Sequence, residues 1–114
     1  MDRKPIPHER RSEERKAVNI HFLVRIGSIF KARGVIKDMN RQGMALKCPQ
    51  LFKPRLSIGV QNFIGNPLKI SIPSRGLTVD GRIAWVNLKN GEGAISVTNT
   101  SDKGRWSEMY DQEA

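Results

Sequence analysis

Over residues 17–48 and 68–100 the chain repeats one pattern: apolar side chains at every second position, in segments ended by Gly, Pro, Asn or Asp. Val18, Ile20, Phe22, Val24 and Ile26 alternate with Asn19, His21, Leu23 and Arg25, the period of a half-buried antiparallel strand. Gly27-Ser28 reads as a hairpin turn, after which Phe30, Ala32, Gly34 and Ile36 alternate with Lys31, Arg33, Val35 and Lys37. Met44, Leu46 and Cys48 form a third run that stops at Pro49, and Leu68, Ile70 and Ile72 a later one that stops at Pro73-Ser74-Arg75-Gly76. Leu77, Val79, Gly81, Ile83 and Trp85 make a long run whose phase favours the core for Trp85, with a ring bordering a ligand near the strand end as the alternative, and Asn90-Gly91 signals a hairpin into residues 94–99. Strands with one dry face must close that face against one another. Gly34 and Gly81, each in mid-strand, supply the bends that barrel corners need. The expectation is an all-β fold, a small closed antiparallel barrel.

Three regions depart from the period. Residues 49–67 hold Pro49, Pro54, Pro67, Gly59 and Gly65; Leu56, Ile58 and Val60 are compatible with a short strand, and Phe52, Phe63 and Ile64 are expected to cover one end of the core. Residues 101–114 shift to helical spacing, with Ser101 or Asp102 as the N-cap and Trp106, Met109 and Tyr110 on one face. Residues 1–16 carry Pro5, Pro7 and many charges with few apolar groups, the composition of a flexible arm. The reading is therefore an arm (1–16), a barrel (17–100) and a C-terminal helix (101–114). At 114 residues this is one domain, long enough for a core without metal or disulfide. The single cysteine, Cys48, lies in the apolar phase and reads as a packed thiol.

The charge is unevenly spread. The chain carries 20 basic and 11 acidic side chains, a net +9. Residues 1–16 hold six basic and four acidic groups, residues 101–114 two and four, so the ends cancel. The body, 17–100, holds twelve basic groups against Asp38, Asp80 and Glu92 and supplies the whole excess. Such a body favours an anionic partner and salt-sensitive association; the plainer reading is that basicity keeps the protein in solution.

Two clusters sharpen this. Arg10-Arg11-Ser12-Glu13-Glu14-Arg15 sets Arg11 and Arg15 four residues apart with Arg10 beside them, next to the first strand. Asp38-Met39-Asn40-Arg41-Gln42-Gly43 offers an acid, an amide and a glycine at a turn. Arginine matches phosphate and the Hoogsteen edge of guanine by the same two-pronged contact. A carboxylate and an amide answer a purine's remaining donors and acceptors. Together they describe a pocket for a compact guanine-containing anion. Taken singly each has a plain explanation: a solvated charge run with pairs such as Arg10–Glu14, and a tight connection.

Arg11-x-x-x-Arg15, two strands, Asp38-x-Asn40-x-x-Gly43 and the later strand Gly81-Arg82-Ile83-Ala84-Trp85-Val86 resemble, in order and spacing, the PilZ domain family of bacterial cyclic di-GMP receptors. The resemblance spans roughly residues 9–100. It implies a six-stranded antiparallel barrel with a short C-terminal helix, and an N-terminal arm that folds over cyclic di-GMP on the barrel's outer surface. By the same resemblance Arg11 and Arg15, helped by Arg10, would hold guanine and phosphates. Asp38 and Asn40 would meet the guanine, and Gly43 would allow close backbone approach. Asn40 stands where the family motif has serine; the amide both donates and accepts but is longer, so the guanine contact must move or weaken. Output would pass through a separate protein partner. A ligand-independent adaptor of the same fold is the alternative.

Other classes are less well supplied. There is no nucleophile-elbow, Walker-type or H-E-x-x-H motif and no Cys/His pair at ligand spacing, so neither catalysis nor a metal or other cofactor is expected. A small-barrel nucleic-acid binder would suit the charge, but seven aromatic residues of Phe, Trp and Tyr type leave few stacking platforms. His21 lies in the polar phase and reads as a surface residue. No apolar run approaches the ~20 residues of a membrane span, and residues 1–16 are no signal peptide, so a cytoplasmic protein is expected.

Overall fold

The computed structural model describes residues 15–26, 30–53 and 63–111. Arg10, Arg11 and the rest of the arm before Arg15, the Gly27-Ser28 turn and the Leu56–Val60 segment lie outside the described residues.

Six strands form a closed antiparallel barrel: β1 (Lys16–Ile26), β2 (Phe30–Asn40), β3 (Gly43–Lys47), β4 (Pro67–Ile72), β5 (Leu77–Asn87) and β6 (Glu92–Thr100), in the order β1-β2-β3-β6-β5-β4. One helix, α1 (Lys103–Asp111), follows. The sheet closes where residues 23–25 of β1 pair with residues 69–71 of β4, which shortens the exposed edges that make a small sheet prone to aggregate. The period-two pattern becomes the barrel interior: Phe22 and Val24 of β1, Met44 and Leu46 of β3, and Ile70 and Ile72 of β4 are each at most 1% exposed. Each such side chain contributes about 1.5–3 kcal/mol by leaving water. Phe52 and Phe63 close one end, their ring centroids 6.3 Å apart.

Glycines sit where backbones or rings crowd. Gly34 pairs with Phe22 in an unbroken stretch of the ladder, and a Cβ there would lie 2.8 Å from the Phe22 ring and 2.3 Å from the Lys47 carbonyl oxygen. No register shift of the β1–β2 ladder falls at Gly34. Gly81 does lie at a register shift between β5 and β6.

Three expectations need correction. Trp85 is 46% exposed instead of buried. Between Ile83 and Trp85 the β5–β6 register slips by one residue, with Ile83 opposite Ile95 and Trp85 opposite Ala94. A bulge adds one residue to β5 alone, and a single residue is enough to turn the rest of a strand over. Ile64, expected to cover the core, is 42% exposed and lies in a turn. Asp38 and Asn40, read as part of a turn, end β2 as ladder residues, and only Arg41 and Gln42 form the turn.

Helix α1 begins where Asp102 Oδ1 accepts a hydrogen bond from the Arg105 backbone N–H at 3.0 Å, an N-cap. Trp106 and Met109 belong to the barrel's core cluster, Tyr110 packs against it, and the Trp106 and Tyr110 rings meet edge to face at 5.6 Å. The helix therefore lies against the barrel end where β1 starts and β2 turns into β3.

Candidate functional site

The site is built at that end, from the root of the arm and the β2–β3 hairpin. Arg15 immediately precedes β1, and its Nε donates to Asp38 Oδ1 on β2, 23 positions along the chain. The register explains the meeting: Lys16 pairs with Met39 and Ala17 with Asp38, so the entry to β1 runs beside the end of β2. The side chains of Arg15 and Asp38 are 41% and 35% exposed. A pair this open is worth about 0.2–1 kcal/mol, so either partner can be taken over by a better-placed ion at small cost.

Met39 points into the core, so Asp38 and Asn40 share the opposite face of β2. Asn40 is buried, and its Oδ1 accepts from the backbone N–H groups of Gln42 at 2.8 Å and Gly43 at 3.0 Å. This is an Asx-type turn, the side chain holding its own hairpin. Gly43 has its own reason. A Cβ there would lie 2.4 Å from the Ile95 carbonyl oxygen, because β3 crosses β6 closely at the Gly43–Ser96 pair. Val97 N–H then donates to the Gln42 carbonyl at 2.8 Å, locking the turn onto β6.

Helix α1 buttresses the same place. Trp106 Nε1 donates to the Arg41 carbonyl at 3.4 Å, and Lys16 Nζ donates to the Met109 carbonyl at 3.2 Å, in the last turn of the helix. The lysine satisfies a carbonyl that the helix end leaves without an intrahelical partner, and its charge complements the helix dipole. Arm root, hairpin and helix are thus joined by Arg15–Asp38, Lys16–Met109 and Arg41–Trp106. Beside the hairpin, Arg41, Thr98, Thr100, Lys103, Trp106 and Tyr110 line an open basin of about 280 Å³. Thr100 Oγ1 is buried there without a hydrogen-bond partner.

Of the six residues singled out in the sequence, Arg15, Asp38, Asn40 and Gly43 come together at this end, while Arg10 and Arg11 lie outside the described residues. Lys16, Arg41, Lys103 and Trp106 complete the neighbourhood without having been singled out for it. No group of three or more His, Cys, Asp or Glu side chains suited to a metal ion occurs among the described residues. No described helix is long and apolar enough to cross a membrane. No family model, curated protein or solved structure matches the chain.

Proposed function

We propose that the protein is a PilZ-like receptor for cyclic di-GMP, a nonenzymatic signalling domain whose arm closes over the nucleotide at the Arg15–Asp38 face. The observation that carries this reading is the Arg15–Asp38 contact. The last arginine of Arg11-x-x-x-Arg15 rests on the first residue of Asp38-x-Asn40-x-x-Gly43, so two motifs far apart in sequence meet on one surface. The barrel agrees with the architecture the resemblance implies.

The chemistry is an exchange of partners. Cyclic di-GMP brings two phosphate charges and two guanines. Arg15, held by a weak exposed pair, turns from the carboxylate to a phosphate or a guanine edge, and Asp38 is freed to accept from guanine N–H groups. Each charge-assisted bond contributes about 1.5–3 kcal/mol, and ordering the arm costs about 1–2 kcal/mol per residue fixed. Affinity is then moderate, and binding is coupled to a change in the arm. Lys16, one residue from Arg15, carries that change to the end of α1, where a protein partner could read it. Titration calorimetry tests this: saturable heat with cyclic di-GMP, lost in Arg11→Ala and Arg15→Ala, is expected, and unchanged binding by both variants removes the site.

One observation favours a second reading, a ligand-independent adaptor of the same fold. Asn40 Oδ1 is engaged by its own turn, and Gly43 is required by the Ile95 carbonyl, so two motif positions have duties inside the barrel. A stable complex with a protein partner, formed without heat from cyclic di-GMP, would select this reading.

A further inference from the structure

Away from the Arg15–Asp38 contact, the barrel wall carries a row of like charges set directly opposite one another. Lys31 on β2 pairs with Arg25 on β1, and Arg25 pairs in turn with Lys69 on β4. All three are exposed. Like charges at facing positions of an antiparallel ladder repel and destabilise it. A barrel that needed only solubility would spread its cations. The single acid of the row, Asp80 on β5, stands opposite Lys69 and holds its Nζ at 2.7 Å. Among the described residues no acid pairs with Arg25 or Lys31.

The row borders a furrow. Two adjoining hollows of about 290 and 310 Å³ share Arg25 and Lys69 as lining residues, Lys31 and Leu23 bordering the first and Arg82 the second. Leu23 is 42% exposed, beside Arg25 on β1 and opposite Arg33 on β2 and Ser71 on β4. It is an apolar contact point ringed by cations. From Lys31 to Asp80 the row crosses three inter-strand steps, about 14 Å. Lys31 lies seven positions before Asp38 on β2, roughly 23 Å along the strand, so this face is separate from the Arg15–Asp38 site.

We propose that this furrow docks an acidic segment of a partner protein, its carboxylates laid along Lys31, Arg25 and Lys69 and an apolar side chain set against Leu23. Inter-strand spacing of about 4.8 Å is close to the 5–6 Å between side chains three or four apart on a helix, so carboxylates so spaced reach successive cations. Leu23 decides between protein and nucleic acid. A phosphate backbone has no use for an exposed leucine, and among the described residues no aromatic ring lines the furrow as a platform for bases. An acidic occupant also removes the repulsion that the empty ladder carries. This inference does not depend on the nucleotide site.

The test uses the full chain and a fluorescent peptide of Glu and Leu residues, read by anisotropy at fixed ionic strength. The Lys31→Ser/Arg25→Ser double variant is expected to bind the peptide at least tenfold more weakly, with an unchanged or raised Tm because two repelling charges are gone. Lys53→Ser/Lys89→Ser removes the same net charge elsewhere and is expected to bind within twofold of the parent. Leu23→Ser is expected to weaken the peptide severalfold while leaving a labelled oligonucleotide unaffected. Cyclic di-GMP binding should survive all three changes, and Arg15→Ala should leave the peptide bound, so this surface and the nucleotide site fail separately. Equal losses in the two double variants, or an oligonucleotide that displaces the peptide while Leu23→Ser is silent, overturn the proposal.

Discussion

Replacing Asn40 by alanine isolates what the hairpin owes to one side chain. The carboxamide oxygen accepts from Gln42 N–H at 2.8 Å and Gly43 N–H at 3.0 Å, and the residue is 7% exposed. Two net hydrogen bonds are worth about 1–3 kcal/mol, and a buried amide left without a partner costs about 1–3 kcal/mol. Gln42 N–H is only part-buried and regains water, so the loss falls at the bottom of the combined range, about 2 kcal/mol. For a domain of this size that lowers Tm by roughly 8 °C. Asn40→Asp keeps the acceptor and should cost under about 1 kcal/mol, while Asn40→Ser, shorter and a weaker turn former, should fall between them. Thermal unfolding by circular dichroism gives the ranking, and hydrogen exchange localises it to the Gln42 and Gly43 amides. A Tm within 1 °C of the parent in Asn40→Ala, with those amides still protected, would refute the turn-holding role.

Gly43→Ala should destabilise by about 1–3 kcal/mol in denaturant titration, since its Cβ would press within 2.4 Å of the Ile95 carbonyl oxygen; a change under 0.5 kcal/mol contradicts the close crossing. Trp106→Ala should cost about 3–5 kcal/mol and undock α1, whereas Trp85→Ser should stay within about 0.5 kcal/mol, and reversal of that order contradicts the register slip on β5. Burial pushes the Cys48 thiol up from its ordinary pKa, so it should resist a thiol reagent at pH 8 in the native state and react on unfolding. Because the folded value is the higher one, its contribution to stability is full below the unfolded thiol's pKa of about 8.5 and is lost as pH rises past it toward the folded value. Rapid native labelling, or stability rising over that window, contradicts a buried neutral thiol.

The barrel was legible because one face of each strand is dry. Phe22 and Val24, Met44 and Leu46, and Leu68, Ile70 and Ile72 all keep the phase their alternation implies. What alternation does not carry is an inserted residue. The shift between Ile36 and Asp38 on β2 and the one between Ile83 and Trp85 on β5 each reset the phase beyond them, and neither leaves a mark in residue type. Trp85 leaves the core phase for that reason. The turn chemistry of Asp38, Asn40 and Gly43 was visible, yet turn formers also end strands, so their membership of the β2–β3 ladder was not. The meeting of Arg15 with Asp38 follows from register, a long-range property that spacing alone does not give. Partners such as the Arg41 carbonyl for Trp106 Nε1 depend on where α1 docks, and its apolar face says only that it must dock.

The most direct test of the proposed nucleotide site is a nitrogen-15 NMR titration with cyclic di-GMP that follows the Arg15 Nε–H resonance. The account predicts a saturable shift of that signal as the guanidinium exchanges Asp38 for the ligand, together with shifts at the backbone amides of residues 38–43 and none at Arg25, Lys31 or Lys69. An Arg15 signal that stays where it is up to millimolar nucleotide, with the 38–43 amides equally still, would contradict it.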